Sequence, residues 1–120
     1  MSDSISSLLS SVRSFADARN WEQFHSPKNL SMALIVEAGE LAEHFQWLSE
    51  QESCALSPSQ REEVALEMAD VLIYLCRLSD RLDIDLLAAA HKKMRINEEK
   101  YPVERARNSR TKYTAWREEE

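Results

Sequence analysis

The fold follows from two acidic segments, EAGELAE at residues 37–43 and EMADVLIY at residues 67–74. Each contains two acidic residues in the pattern E-x-x-[ED], inside a stretch rich in good helix formers. Residues three apart on a helix lie on the same face, so each segment presents two neighbouring carboxylates. Antiparallel packing of the two helices would bring four carboxylates to one place: Glu37, Glu40, Glu67 and Asp70.

These carboxylates predict a bound divalent metal ion. Acidic groups crowded in a low-dielectric site either protonate or bind a cation. Their oxygen ligands favour Mg²⁺, with Mn²⁺ as the other option, over zinc or copper. A di-iron bundle would need E-x-x-H pairs, whereas Glu40 and His44 are four residues apart. A hard divalent ion in turn implies a substrate that carries phosphate.

The position of Glu37 distinguishes this metal site from solvated surface charge, which is the usual role of glutamates on amphipathic helices. At about 100° per residue, Glu37 falls near the middle of an apolar arc, and Glu40 falls beside it. The arc is formed by Leu30, Leu34, Leu41 and Phe45. Glu43 continues the same row and is a candidate for a further ligand or a base.

Apolar spacing predicts four helices. They are expected at about residues 4–20, 27–47, 58–82 and 84–100. Ser26-Pro27 is a good helix start, and Ser57 with Gln60 fits a capping box. Asp83 is predicted to cap the fourth helix. The intervening residues 48–57 are predicted to form a loop.

The domain organisation is predicted to be a helical domain over residues 1–102, followed by a polar tail or arm over residues 103–120. The fold class is therefore all-α, a four-helix bundle. Leu86, Leu87 and the apolar face of the first helix need more cover than one chain offers, which predicts a homo-oligomer.

Composition limits the partners. A net charge of −6 disfavours binding to nucleic acid polymers or anionic membranes. Neither a run of about 18 apolar residues nor a signal-peptide pattern occurs. Cys54 and Cys76 lack metal-site spacing and are expected to be reduced. Together these features predict a soluble cytoplasmic protein.

The two acidic segments resemble the MazG-type all-α nucleoside triphosphate pyrophosphohydrolases, whose hallmark is E-x-x-E followed by E-x-x-D. Flanking strings are similar to the dCTP pyrophosphatase branch of that family. These strings are WEQFH at 21–25, PKNL at 27–30, FQW at 45–47, KM at 93–94, IN at 96–97 and YP at 101–102. The resemblance runs from about the first helix to Tyr113. It implies hydrolysis of a nucleoside triphosphate to monophosphate and pyrophosphate, Mg²⁺ dependence and a homotetramer.

For such a substrate the four carboxylates are assigned as metal ligands, and Glu40 is also the candidate base. Lys93 and Asn97 lie four apart on the fourth helix and so face the same way. Lys93 is predicted to pair with phosphate, although a solvated surface lysine is the plain alternative. Asn97 is predicted to hydrogen-bond sugar or phosphate.

Base recognition is expected from aromatic side chains that flank the first acidic helix, because aromatic faces stack on bases. Trp47 is the favoured stacking residue. Trp21 either contacts the base or fills the core, and His25 either binds the base or caps a helix. Tyr74 either reaches the ligand or is structural, and Tyr101 is a helix-ending anchor that lies near the sugar.

The resulting prediction is an enzyme that removes dCTP, or a modified dCTP, from the nucleotide pool. Two alternatives remain open. The first is an enzyme that accepts (d)NTPs broadly, since stacking does not select one base. The second is a non-catalytic helical oligomerisation module with acidic residues on its surface.

Overall fold

The computed structural model describes residues 4–116, and every regular element within that range is helical. The elements are α1 (Ile5–Ala18), a 3₁₀ turn (Trp21–Phe24), α2 (Pro27–Glu43), α3 (Glu50–Ser53), α4 (Pro58–Arg81), α5 (Leu86–Lys100), α6 (Val103–Ala106) and α7 (Tyr113–Trp116). The all-α prediction is confirmed, and each of the four long helices overlaps one of the four predicted helices. No described helix combines the length and the apolar character that crossing a bilayer requires.

Two of the three predicted helix starts are correct. The Ser26 side chain accepts a hydrogen bond from the Asn29 amide, and Ser57 and Gln60 form a reciprocal capping box. The predicted cap of α5 is wrong, because Asp85 caps that helix by accepting from the amide of Ala88. Asp83 instead adopts a left-handed conformation, with φ 54°, in the turn that ends α4.

The first acidic helix is shorter than predicted. α2 ends at Glu43 rather than at Trp47, and residues 44–47 form turns. The amide of Phe45 bonds to the Ala42 carbonyl, three residues back, which tightens the chain and ends the α-helical pattern. The predicted loop over residues 48–57 contains the short helix α3, which begins with its own capping box between Ser49 and Glu52.

The chain divides into two compact units, Met1–Ile84 and Asp85–Glu120. In the first unit α4 packs against both α2 and α1. Contacts at either end show that α2 and α4 are antiparallel. His25, just before α2, bonds to Arg77 near the end of α4, while His44, just after α2, approaches Glu67 in its first half. The predicted antiparallel packing is therefore present.

The core of the first unit lies where these helices meet. Its buried residues include Ala16, Leu30, Val64 and Cys76. Cys54 is exposed, and both cysteines are free thiols.

The second unit has its own aromatic cluster. The ring of Tyr101 packs edge-to-face on Tyr113 and Trp116, with ring centroids 5.7 and 5.6 Å away. The guanidinium of Arg105 lies 5.1 Å from the centre of the Trp116 ring. The segment predicted as a polar tail thus contains two short helices tied to α5 by aromatic contacts. The domain boundary at residue 102 stays a prediction.

Candidate active site

Three acidic side chains converge where α2 faces α4. Glu37 projects from α2, and Glu67 and Asp70 project from α4. One carboxylate oxygen of each lies within 4.8 Å of the others. Glu40, the fourth predicted ligand, is half-buried one turn after Glu37 and is not part of this group of three. The arrangement arises because both E-x-x-[ED] pairs occupy facing positions on antiparallel helices.

The electrostatics of Glu37 reflect this crowding. Burial, a hydrogen bond with Glu40 and the charges of Glu40, Asp70 and Glu67 raise the pKa of Glu37 from 4.5 to about 7. Without a cation, the site therefore holds Glu37 as a carboxylic acid below neutral pH. A cation would oppose the shift, because its positive charge balances the neighbouring carboxylates and favours the ionised form of Glu37.

The donor set fits a hard divalent cation. Glu37 Oε2 and Glu67 Oε2 are buried and have no hydrogen-bond partner among residues 4–116. Buried carboxylate oxygens without partners are costly unless an ion or a proton satisfies them. Since all of the converging ligand atoms are carboxylate oxygens, the site matches the preference of Mg²⁺ or Mn²⁺.

His44 lies beside the cluster. Its Nε2 is 3.8 Å from Glu67 Oε1, and its Nδ1 is 3.9 Å from Glu63 Oε2. These distances are too long for hydrogen bonds. Sequence reasoning did not place His44 here, although its four-residue spacing from Glu40 is the signal that puts both on one face of the chain.

The aromatic residues predicted to bind the base have different surroundings. Trp47 is 88% exposed. The ring of Trp21 packs edge-to-face on His25, with centroids 5.8 Å apart. Tyr74 is half-buried on α4, one turn after Asp70.

His25 is also half-buried, and its ring is engaged. Nδ1 accepts a hydrogen bond of 3.1 Å from Nε of Arg77. Sequence reasoning missed Arg77, because a residue 52 positions away gives no local signal.

The remaining predicted binding residues belong to the second unit. On α5, Lys93 is exposed and Asn97 is half-buried. Tyr101 is the C-cap of that helix and the centre of the aromatic cluster described above. Its anchoring of the helix end agrees with the predicted structural role. The binding roles of all three stay predictions.

The all-helical fold and the cluster of carboxylates define a class of helical proteins with an acidic site between antiparallel helices. The chain belongs to the MazG-like family, whose model matches residues 32–115.

Individual relatives narrow this assignment. The chain is 51% identical over 102 residues to a human protein named dCTP pyrophosphatase 1, and 49% identical to the rat protein of that name. These alignments cover 83% of this chain but 60% of each relative, so the chain spans about three-fifths of their length. A crystal structure of a pyrophosphatase from Archaeoglobus fulgidus superimposes with a TM-score of 0.77 at 43% identity, covering 81% of this chain and 91% of that one.

Proposed function

We propose that this protein is a Mg²⁺-dependent nucleoside triphosphate pyrophosphohydrolase that converts dCTP, or a modified dCTP, to the monophosphate and pyrophosphate. The observation that carries the proposal is the group formed by Glu37, Glu67 and Asp70, with its two buried and unpartnered oxygens. The names of the relatives at about half identity supply the substrate class. Removal of such nucleotides from a cytoplasmic pool is the corresponding cellular role.

The carboxylates of Glu37, Glu67 and Asp70 would hold the cation, with Glu40 completing the set. When bound, a divalent ion neutralises charge on the triphosphate and polarises its phosphoryl oxygens. Mn²⁺ has similar ligand preferences and is expected to substitute.

The side chains themselves position and activate the water. Besides completing the ligand set, Glu40 is assigned as the base, because it is half-buried beside Glu37 and lies outside the group of three. It accepts a proton as the water oxygen bonds to phosphorus, and the phosphoanhydride bond breaks to release pyrophosphate.

Recognition of the nucleoside is assigned to aromatic side chains of the first unit. The indole of Trp47 is largely exposed, so its face is available to stack on a base. Such stacking contributes about 1–3 kcal/mol to binding. Trp21 and His25 are assigned to the base as well, and Tyr74 to the ligand. Three further residues are assigned to the substrate, and each assignment is testable by its own substitution. Lys93 is assigned to phosphate, Asn97 to sugar or phosphate, and Tyr101 to a position near the sugar.

We also propose that the protein is a homo-oligomer, with a tetramer expected from the family resemblance. On α2, Met32, Ile35 and Val36 are 57–72% exposed. Leu66 and Met68 on α4 are similarly exposed. Apolar side chains this exposed on adjacent helices are typical of surfaces that another subunit covers. Light scattering after size exclusion measures the subunit number, and Ile35→Asp should lower it.

The decisive experiment measures pyrophosphate release from each common dNTP and NTP and from 5-methyl-dCTP, with Mg²⁺ and with EDTA. We expect Mg²⁺-dependent turnover that is strongest on cytosine deoxynucleotides. Glu37→Gln should abolish it, whereas Glu62→Gln, an exposed position on α4, should not.

The other outcomes separate the alternatives. Equal turnover of all nucleotides would favour the broad-specificity enzyme and would argue against base selection by the aromatic residues. No turnover of any nucleotide would favour the helical oligomerisation module. Full activity of Glu37→Gln would refute the ligand assignment.

A further inference from the structure

Arg77 is a buried charge away from the acidic cluster. Its side chain lies on the last two turns of α4, and the residue is 3% exposed. An arginine this buried requires partners for its fixed set of N–H donors. Two of them are in place: Nε donates to His25 Nδ1 at 3.1 Å, and Nη1 donates to Asp80 Oδ2 at 3.2 Å.

Asp80 fixes the position of this guanidinium. Arg13 of α1 forms a two-pronged ion pair with the same carboxylate, with Nε 3.0 Å from Oδ2 and a second bond from Nη2 to Oδ1. Asp80 therefore holds Arg77 from one side while α1 holds Asp80 from the other. The hydrogen bond to His25 is the one that leaves this network and reaches the segment before α2.

The same segment is held at its backbone. Nε of Arg81 donates to the carbonyl oxygen of His25 at 3.1 Å, and Arg81 also pairs with Glu22 in the 3₁₀ turn. Both the ring and the main chain of His25 are thus attached to the end of α4.

The bond from Arg77 determines which ring nitrogen carries the proton. A guanidinium only donates and keeps its protons at all ordinary pH values, so the Nδ1 that accepts from it must be unprotonated. A neutral imidazole then carries its proton on Nε2. Burial, followed by the charges of Arg77 and Arg81, lowers the pKa of His25, which agrees with a neutral ring.

We infer that Arg77 is a positioning residue for nucleotide recognition: its bond to Nδ1 holds His25 neutral, with Nε2–H as a fixed donor for an acceptor on the pyrimidine. Carbonyl oxygens and unprotonated ring nitrogens are such acceptors, and cytosine has both. The ring of Trp21 packs edge-to-face against the His25 ring that this bond orients. The part of the inference that concerns substrate rests on the proposed function.

The first experiment reads the tautomer directly, without nucleotide or metal. Imidazole ¹⁵N NMR spectra at pH 7 are recorded in EDTA for the wild type and three variants. Arg77→Gln keeps an N–H donor and loses the charge, whereas Arg77→Met keeps neither. Arg61→Met, an exposed arginine near the start of α4, is the control. A His25→Gln spectrum assigns the resonances among the three histidines.

We expect wild type and Arg61→Met to show the Nε2–H tautomer, and Arg77→Met to show a mixture of tautomers or a protonated ring. Arg77→Gln should be intermediate, because its amide can donate to Nδ1 or accept from Nδ1–H. An Nδ1–H or protonated His25 in the wild type would overturn the inference. An unchanged tautomer in folded Arg77→Met would overturn it too. The wild-type spectrum remains decisive if that variant does not fold.

The second experiment measures steady-state kinetics on dCTP. Loss of one aligned hydrogen bond should raise KM about 3- to 10-fold in Arg77→Met and leave kcat within about 2-fold. The KM of Arg77→Gln should lie between those of the wild type and Arg77→Met, whereas that of Arg61→Met should match the wild type. An altered tautomer with an unchanged KM would overturn the role in recognition. Absence of turnover in the wild type would refute the proposed enzyme, while the NMR result would still decide the link between Arg77 and His25.

Discussion

Replacing Glu37 with glutamine should make the metal-free protein more stable while it abolishes activity. The acidic cluster raises the pKa of Glu37 from 4.5 to about 7, so the folded state holds this proton more tightly than the unfolded chain. Stability therefore falls as the pH rises from about 4.5 to about 7 and changes little above that range. Glutamine has almost the same shape but never ionises, so it avoids this loss.

The size of the gain follows from the shift in pKa. Each pKa unit corresponds to about 1.4 kcal/mol, so a rise from 4.5 to about 7 corresponds to at most about 3.5 kcal/mol. Solvent screening of a half-buried side chain reduces that figure, and a gain of about 1–3 kcal/mol at pH 8 is expected. At pH 5, where Glu37 is mostly protonated in the folded state, the gain should be below about 1 kcal/mol.

Urea denaturation at pH 5 and pH 8 in EDTA measures these differences. Glu62→Gln, at an exposed position of α4, should change the free energy of unfolding by less than about 0.5 kcal/mol at either pH. Adding Mg²⁺ should reverse the order at pH 8, because only the wild type retains the full set of ligands. A Glu37→Gln variant that is no more stable than the wild type at pH 8 in EDTA would refute the repulsion that we infer.

Three further predictions concern other parts of the site. Mg²⁺ at about 100 times its dissociation constant should raise the free energy of unfolding of the wild type by about 2.7 kcal/mol. Urea denaturation at increasing Mg²⁺ concentrations measures this gain, and most of it should be lost in Glu67→Gln. Trp47→Ala should leave stability within about 0.5 kcal/mol of the wild type, because Trp47 is 88% exposed; in dNTP kinetics its KM should rise about 5- to 150-fold, and an unchanged KM would exclude stacking. Arg13 is the main cause of the lowered pKa of Asp80 in the folded protein. The stability that this carboxylate contributes is therefore present above its ordinary pKa of 3.8 and is lost as the pH falls through the lower pKa of the folded state. Asp80→Asn should therefore lower stability by about 1–3 kcal/mol at neutral pH and by progressively less in acid unfolding below pH 3.8.

Local signals in the sequence were sufficient for the helices and for much of the acidic cluster. The capping box of Ser57 and Gln60 starts α4 as predicted, because its two hydrogen bonds involve residues only three apart. Helical phase likewise places Glu37 among apolar neighbours, and the structure brings it close to Glu67 and Asp70. The capping box and the helical phase of Glu37 depend on the spacing of residues close together in the chain, which a single sequence contains in full.

Features that depend on competition between neighbours were predicted less well. Asp83 and Asp85 are equally good capping residues, and the sequence offers no reason to prefer the second. The left-handed turn at Asp83, which lets the chain leave α4, decides between them. No proline or glycine lies between Glu43, where α2 ends, and Trp47, so apolar spacing extends the predicted helix four residues too far.

Contacts between residues far apart in the chain could not be predicted from the sequence. Trp116 is buried in a segment whose composition is polar and charged, because Tyr101 reaches it from the end of α5. The role of Arg77 was not predicted either, because this residue lies on an apolar side of α4 where a charge is unexpected. Only the fold reveals that its partner is a histidine before α2.

The antiparallel pairing of α2 and α4 supports both proposed parts of the substrate site, the carboxylates for the phosphates and His25 for the base. Arg77 follows Glu67 by ten residues, which at a rise of about 1.5 Å per residue is about 15 Å along α4. An extended nucleoside triphosphate has a length on this scale, with its phosphates at one end and its base at the other. One straight helix can therefore position carboxylates for the phosphate end and, through His25, a hydrogen-bond donor for the base end. Because a helix interior resists bending, any change in the packing of α4 on α2 should affect both ends together, so substitutions in that interface should change KM for the nucleotide and the affinity for Mg²⁺ in parallel.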